Sequence, residues 1–496
     1  MTDSLPYSLY TSLLMNGSSV AFSIEGKRNT YDQLARRVAY IQSVFREKEE
    51  GLNEVGIIAN QDFDTYATLV ACLLSGITYI PIEPGHPDER NNHIISISGV
   101  KTIFCSDLSG LGTTFYETHK SSFVLLEPGD KEPGDLKLTE TNNPAYVLFT
   151  SGSTGVPKGV PISFRNLHAF AGNVSAMNLE ITPESKFLQV FDLTFDLSVF
   201  SYLVPLLHGS SVYLLPKTPL KYTLAVQVLE DEAITHVLTV PSFVNYLRPY
   251  FSEIHLLQLR HWLFCGEALK SNLVTAWQPC IPEAAIYNVY GPTEATIFCT
   301  SYICDTSRIK EQNGIVCIGQ PFPGTRFELA ADDGSIQAES HSGELYIAGN
   351  QMTSGYFNNA EKNKLAFTTL DGIQYYHSGD ICHKDEAGDF FFTGRNDSQV
   401  KVQGYRVELG EIEYYAGLFP GIDEVVVLAD QQGEQHTLKL VYTSRQNPDE
   451  KEFRSFLSSR LPGYMVPAII RRIEKIPYNL NGKVDKIALH QLFNSN

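Results

Sequence analysis

Residues 54–84 read EVGIIANQDFDTYATLVACLLSGITYIPIEP. Two short runs rich in isoleucine and other strand-forming residues flank DTYATLVACLLSG, a longer segment dominated by alanine and leucine. Over residues 55–83 this is strand, helix, strand. Working outward, the alternation continues. KTIFCS at 101, SSFVLLE at 121, KFLQVFD at 186, SSVYLLP at 210, THVLTVP at 235 and LRHWLFCG at 259 read as strands with helical stretches between several of them. Such alternation predicts parallel sheets with crossover helices. From about residue 320 the texture changes to short β-rich pieces with Gly and Asp turns, such as GELYIAGN and GDFFFTG. After GRNDSQVKVQGYRVELGEIE the chain reads as a small α+β unit, and the polar, turn-forming NDSQ at 396–399 marks a hinge or boundary. The expected fold class is α/β. A large N-terminal domain (1–396) has mixed and parallel sheets with helices plus a β-rich subdomain. A hinge joins it to a small α+β C-terminal domain (397–496).

At 496 residues the chain is long enough for more than one domain. Its 43% hydrophobic and 19% charged content are ordinary for a globular protein. No apolar run is long enough to span a bilayer. The N-terminal MTDSLPYSLYTSLLMNGSS lacks the basic start and unbroken apolar stretch of a secretory signal, so a cytoplasmic location is expected. The eight cysteines are scattered without a Cys-x-x-Cys pair or zinc-like spacing, which reads as core thiols rather than a disulfide or metal framework. A net charge of −18 argues against nucleic acid or an anionic membrane as partner. It leaves room for a small anion, which needs only local donors.

One loop could supply them. In TSGSTGVPKG, residues 150–159, three glycines, two serines, two threonines and a lysine follow the apolar run YVLF. Glycines let backbone N–H groups converge on an anion, hydroxyls add donors and lysine adds a charge. The Walker pattern fails, because Lys158 follows Pro157 and precedes Gly159. From the residues alone, a phosphate cradle and an ordinary surface loop both stand.

The same stretch resembles the phosphate-binding signature of the adenylate-forming superfamily, which includes acyl-CoA synthetases, nonribosomal peptide adenylation domains and firefly-type luciferases. The resemblance runs along almost the whole chain in family order. NTYDQL at 29, SGITYIPIEPGHPDER at 75, FDLSVF at 195, NVYGPTEAT at 288 and GELYIAGNQMTSGYF at 343 are followed by YHSGD at 376, GRNDSQVKVQGYRVELGEIE at 394, LPGYMVP at 461 and NGKVDK at 481.

The resemblance implies attack of a carboxylate on the α-phosphate of ATP, with Mg²⁺ as cofactor. It assigns the β- and γ-phosphates to Thr150, Ser151, Gly152, Ser153, Thr154, Gly155 and Lys158. Adenine falls to Asn288 and Tyr290 beside Gly291, the α-phosphate to Thr293 and the metal to Glu294. Asp380 would accept from both ribose hydroxyls, a role that suits a carboxylate with no cation beside it. The motif's usual Arg-Thr pair is His377-Ser378 here. Arg395 matches a residue near ribose and phosphate, and Asp397 matches the hinge. Lys483 matches the lysine that enters the site from the small domain and bridges substrate carboxylate and α-phosphate. An ammonium between two anions stabilises a transition state in which their charges meet. Thr293, Glu294 and Lys483 are thus the expected catalytic residues.

FDLTFDLSVF bears on the acid. In amino-acid-activating relatives an aspartate in F-D-x-S-V holds the substrate's α-ammonium, and that residue is Asp196 here. A fatty or aryl acid offers no ammonium to a buried carboxylate. The positions aligned with the side-chain pocket are Leu197, Phe200, Thr239, Leu263, Cys265, Val289, Ile297 and Phe298, none of them charged. A small or medium apolar amino acid fits best. TVPSF, FCGEAL and NVYGPTEATIF resemble D-alanine:carrier-protein ligases, in which a cysteine at the Cys265 position bears on D/L choice. That makes D-alanine a lead.

The chain stops soon after Lys483 with no G-G-x-S-like attachment site, which reads as a freestanding enzyme. The expected acceptor is the phosphopantetheine thiol of a separate carrier protein, with Gly404 giving room in a thiol tunnel. Two other readings stand beside this one: an acyl- or aryl-CoA ligase of the same superfamily, and a non-catalytic adaptor binding nucleotide and carrier protein.

Overall fold

The computed structural model describes residues 4–48, 52–151, 157–218, 221–331, 336, 341–396, 399–432, 435–444, 448–477 and 484–494. The unit at 54–84 folds as its sequence predicts. Strands Glu54–Ile58 and Thr78–Ile82 pair in parallel, and helix Phe63–Ser75 crosses between them. Asp62 caps that helix by accepting from the Thr65 N–H at 2.8 Å. Gly76 ends it at φ 68°, a left-handed turn in which a side chain would also strike Thr141. Nearly every residue of the helix is buried, which explains its all-round apolar composition.

This unit is the middle of a six-stranded sheet in the order Phe123–Leu125, Ile103–Cys105, Glu54–Ile58, Thr78–Ile82, Pro144–Thr150, Lys158–Ser163, with only the last pair antiparallel. A second, nine-stranded sheet is parallel through Lys186–Gln189, Ser211–Leu214, His236–Thr239, His261–Phe264 and Ala285–Tyr290. Helices pack between the two sheets, and one continuous core joins them. Tyr202, on helix Leu197–Leu207, stands within it: its hydroxyl meets Tyr79 at 2.6 Å and its ring lies edge-on to Tyr66. All eight cysteines are buried and unpaired.

From residue 325 a five-stranded antiparallel sheet follows, with a small core of its own around Phe327, Leu345, Ile347, Cys382 and Phe390. The C-terminal part comprises hairpin Gln399–Val402/Tyr405–Glu408, helix Leu409–Gly417 and a three-stranded sheet covered by helix Glu450–Ser458. Val407, Ile412, Leu440, Phe453 and Met465 close its separate core. The molecule is therefore α/β, with a large N-terminal region and a small C-terminal lobe. Among the described residues, no helix is long and apolar enough to cross a membrane.

Candidate active site

Ligand sites in open α/β sheets lie beyond the carboxyl ends of the strands. Here those ends converge. Pro144–Thr150 leads to Ser151, Lys186–Gln189 to Asp192 and Asp196, His236–Thr239 to Val240, His261–Phe264 to Cys265, and Ala285–Tyr290 to Gly291 and Thr293. Two cavities meet there, sharing Gly266, Gly291, Thr293, Lys401 and Arg406 in their walls.

The larger cavity, about 500 Å³, is lined by Asn288, Val289, Tyr290, Asp380 and Arg395. Asn288 is held by its amide, which donates to the Cys317 carbonyl at 2.9 Å. The Tyr290 hydroxyl donates to Asp380 at 2.5 Å. A cation does stand beside Asp380, contrary to the expectation from its sequence neighbours. Strand pairing sets Asp380 opposite Arg395, whose guanidinium pairs with the carboxylate and donates to the Ser378 carbonyl at 3.1 Å. His377 turns away and stacks on Tyr346.

The smaller cavity, about 50 Å³, holds Asp196 with Leu197, Cys265 and Ile297. Asp196 stands at the start of helix Leu197–Leu207 and is only 5% exposed. Burial pushes its carboxyl up to about 6, against the pull of the Thr293 hydroxyl and the Lys401 ammonium. Of the other expected pocket residues, Val289 lines the larger cavity, while Phe200, Thr239, Leu263 and Phe298 are buried and line neither cavity. The Phe200 and Phe298 rings pack 5.6 Å apart, and Thr239 accepts from the Trp262 indole N–H at 3.0 Å.

A strained turn borders the smaller cavity at Ile297. Thr296 and Ile297 have φ of 58° and 73°, a left-handed region costly for β-branched residues, by roughly 1–3 kcal/mol each. Gln351 holds the turn: its amide donates to the carbonyls of Ala295 at 3.1 Å and Phe298 at 2.9 Å, and its side-chain oxygen accepts from Asn173 at 2.7 Å. Gly291 is required beside it, since a Cβ would lie 2.5 Å from the Phe298 backbone.

The C-terminal hairpin closes the end of the site at Ser151, Lys158 and Glu294. Its Gln403-Gly404 loop has positive φ at both residues, as a tight two-residue turn needs, and a Cβ on Gly404 would meet Val240 at 2.3 Å. Tyr405 stacks on Tyr464 at 3.9 Å and on Phe195 at 5.5 Å, and its hydroxyl bonds Asp192. Arg406 pairs with Glu294 at 2.8 Å. Glu294 is fully buried and also accepts from the Tyr356 hydroxyl at 2.7 Å. Burial alone would raise the Glu294 carboxyl, but the Arg406 and Lys158 cations outweigh it and hold the group down to about 2. Lys158 lies 5.0 Å from the centre of the Tyr356 ring and 3.7 Å from Glu408, and burial, with Arg406 close by, lowers its ammonium to about 8. The Ser151 hydroxyl donates to the Arg406 carbonyl at 2.6 Å. Gly152, Ser153, Thr154, Gly155, Asp397 and Lys483 lie outside the described residues. Thr150 and Ser151 border the smaller cavity.

A family model described as AMP-binding enzyme matches residues 12–357. The chain belongs to the AMP-binding enzyme family. Relatives of this family match it over nearly its full length. A D-alanine–D-alanyl carrier protein ligase of Lactococcus lactis is 32% identical over 485 residues, covering 93% of each chain. Bacitracin synthase 1 of Bacillus licheniformis is 30% identical over 486 residues, but the present chain spans only 9% of its length. The adenylation domain AlmE of Vibrio cholerae, solved with glycyl-adenosine-5'-phosphate, shares the fold with a TM-score of 0.89 at 24% identity, over 100% of this chain and 98% of that one.

The sequence alone did not single out Arg406, Lys401, Gln351 or Tyr356 as members of this site. Arg406 and Lys401 lie inside GRNDSQVKVQGYRVELGEIE, and Gln351 and Tyr356 inside GELYIAGNQMTSGYF. The first motif already carried Arg395, Asp397 and Gly404, so membership of these two motifs was the available signal.

Proposed function

We propose that this protein activates a small or medium apolar amino acid with ATP and passes it to the thiol of a separate carrier protein. The observation that carries the amino-acid part is Asp196: a buried carboxylate facing a small cavity beside Leu197, Cys265 and Ile297. Buried charge is costly unless paired, and an α-ammonium is the partner such a cavity favours. D-alanine is the lead substrate, supported by relatives of equal length that carry the name D-alanine–D-alanyl carrier protein ligase.

In the first step a substrate carboxylate oxygen bonds to the α-phosphorus, and the bond to the bridging oxygen of the β-phosphate breaks to release pyrophosphate. Asn288, Tyr290 and Asp380 hold the nucleoside, with Arg395 orienting Asp380. Thr293 and Lys483 meet charge on the α-phosphate, and Ser151, Lys158 and the glycine loop take the outer phosphates. In the second step the carrier's thiolate attacks the acyl carbon and AMP leaves with the bond pair. Gly404 gives the thiol arm room. The lobe from residue 397 onward turns about Asp397 between steps. The ATP requirement favours the cytoplasm.

Mg²⁺, the cation expected with ATP, would draw on Glu294. In the present arrangement Glu294 does not fit it: both carboxylate oxygens accept from Arg406 and one also from Tyr356. Among the described residues no cluster of three metal-ligating side chains exists.

Amino-acid-dependent exchange of labelled pyrophosphate into ATP tests the reading across the twenty L-amino acids, D-alanine and other D-forms. Exchange with one or a few apolar amino acids is expected. Exchange with none, or thioester formation on free CoA from an acyl or aryl acid, would overturn it.

A further inference from the structure

Two consecutive β-branched residues, Thr296 and Ile297, hold left-handed backbone, a conformation that persists only where its surroundings over-determine it. One buried side chain does most of that. The carbonyls of Ala295, Thr296 and Phe298 converge on the Gln351 amide nitrogen, which donates to them at 3.1, 3.4 and 2.9 Å. The Gln351 side-chain oxygen accepts from Asn173 at 2.7 Å, and its backbone carbonyl accepts from the Thr296 hydroxyl. Gln351 follows strand Ser342–Gly349 and Asn173 sits on helix Phe164–Ser175, so the amide ties two other elements to the turn. The next residue, Phe298, is fixed by the rings of Phe170 and Phe200, 4.9 and 5.6 Å away.

Gln351 lines neither cavity, whereas Ile297 lines the smaller one with Asp196, Leu197 and Cys265. We infer, on the amino-acid reading of that cavity, that Gln351 sets the size of substrate side chain the protein accepts, by holding Ile297 in the cavity wall. The chemistry that fits this place is narrow. Three carbonyls need a donor, and the Asn173 amide needs an acceptor. A primary amide supplies both; a carboxylate or an apolar side chain does not. Without it, buried acceptors are left unpaired and nothing offsets the strain of the turn. A turn released in this way relaxes toward ordinary extended backbone and carries Ile297 off the wall. Inward movement is blocked, because the cavity is only about 50 Å³ and Leu197 and Cys265 are themselves buried. The cavity widens, and larger apolar side chains gain.

Gln351 is thus a positioning residue. Asn173 supports it by fixing which way round the amide stands: its own amide donates to the Gln351 oxygen and to the Pro323 carbonyl at 3.3 Å, which leaves the Gln351 nitrogen for the turn.

Pyrophosphate exchange with the preferred apolar amino acid and with larger homologues tests the inference on the full chain and on its Gln351→Leu, Ile297→Ala and doubly substituted variants. In Gln351→Leu the ratio of kcat/KM for a larger homologue to that for the preferred substrate should rise by about tenfold. Ile297→Ala should raise the same ratio at least as far. Adding Gln351→Leu to Ile297→Ala should then change it by less than about twofold, because the route through Ile297 is already gone. Adenosine affinity should stay within about twofold throughout. An unchanged ratio in Gln351→Leu, with every substrate losing rate alike, would overturn the inference while leaving the adenylation reading intact. So would ratio shifts that multiply in the double variant, or a loss of adenosine affinity as large as the shift in ratio. Should Gln351→Leu fail to fold, Asn173→Ala should raise the ratio by about threefold, and an unchanged ratio there overturns the inference alone. Exchange with no amino acid in the unaltered protein would sink the adenylation reading, and this inference with it.

Discussion

The two ends of the proposed nucleotide site differ in how they are satisfied. At the nucleoside end, Asn288, Tyr290, Asp380 and Arg395 are fixed by one another and by neighbouring backbone around a cavity of about 500 Å³. At the phosphate end, Ser151, Lys158 and Glu294 face groups that come from the C-terminal lobe. The first end is built before a ligand arrives. The second is completed by the Arg406–Glu408 edge of the C-terminal hairpin.

The largest effect should come from the phosphate end. Lys483→Ala should lower pyrophosphate exchange by about a thousandfold while leaving adenosine binding within about twofold, because a charge placed between two anions matters only where they meet. A small loss would remove the lysine from the chemistry and blur the contrast between the ends. Next, Asp196→Asn should cut kcat/KM for the amino acid by about a hundredfold in the same assay, since the ammonium loses its charged partner.

At the preformed end, Asp380→Asn should weaken adenosine binding by about tenfold in calorimetry and spare the amino-acid dependence. Equal losses from Asp380→Asn and Glu408→Gln in adenosine binding would break the division between the two ends.

The pH dependence follows from Asp196. Its carboxyl is raised by burial to about 6, so the neutral form gains as pH falls through 6. An ammonium needs the ionised form. Apparent affinity for the amino acid should therefore be flat above about pH 7 and fall by up to about tenfold per pH unit below 6, with the fall absent in Asp196→Asn. The smallest effect is expected at Cys265. Cys265→Ala would enlarge the smaller cavity slightly, and should shift preference among small apolar substrates or between D- and L-alanine by about two- to fivefold, read as ratios of exchange rates.

Much of the fold was legible because its signal is local. The strand–helix–strand pattern at 54–84 needs only apolar runs of the right length, and the buried strands at 186, 235 and 259 announce themselves the same way. The position of Asp196 in the smaller cavity was legible from FDLSVF. What escaped the sequence is long-range. Arg406 and Glu294 are 112 residues apart, and nothing near either one names the other as partner. The Asp380–Arg395 pair follows from strand register, which sets the two residues opposite each other across a bulged pair of strands. The strained turn at Thr296 and Ile297 is invisible in a sequence of β-branched residues, which on propensity would favour ordinary extended backbone. Of the positions expected to form a side-chain pocket, Leu197, Cys265 and Ile297 line the smaller cavity with Asp196, Val289 lines the larger one, and Phe200, Thr239, Leu263 and Phe298 are buried away from both.

The most direct measurement is a single-turnover mixture of purified protein, magnesium, ATP and candidate acids, with the bound product identified by mass spectrometry. The account predicts one equivalent of an aminoacyl-AMP from an apolar amino acid, with no adenylate from a fatty or aryl acid. An acyl- or aryl-adenylate with no aminoacyl-adenylate, or no adenylate from any acid offered, would contradict it.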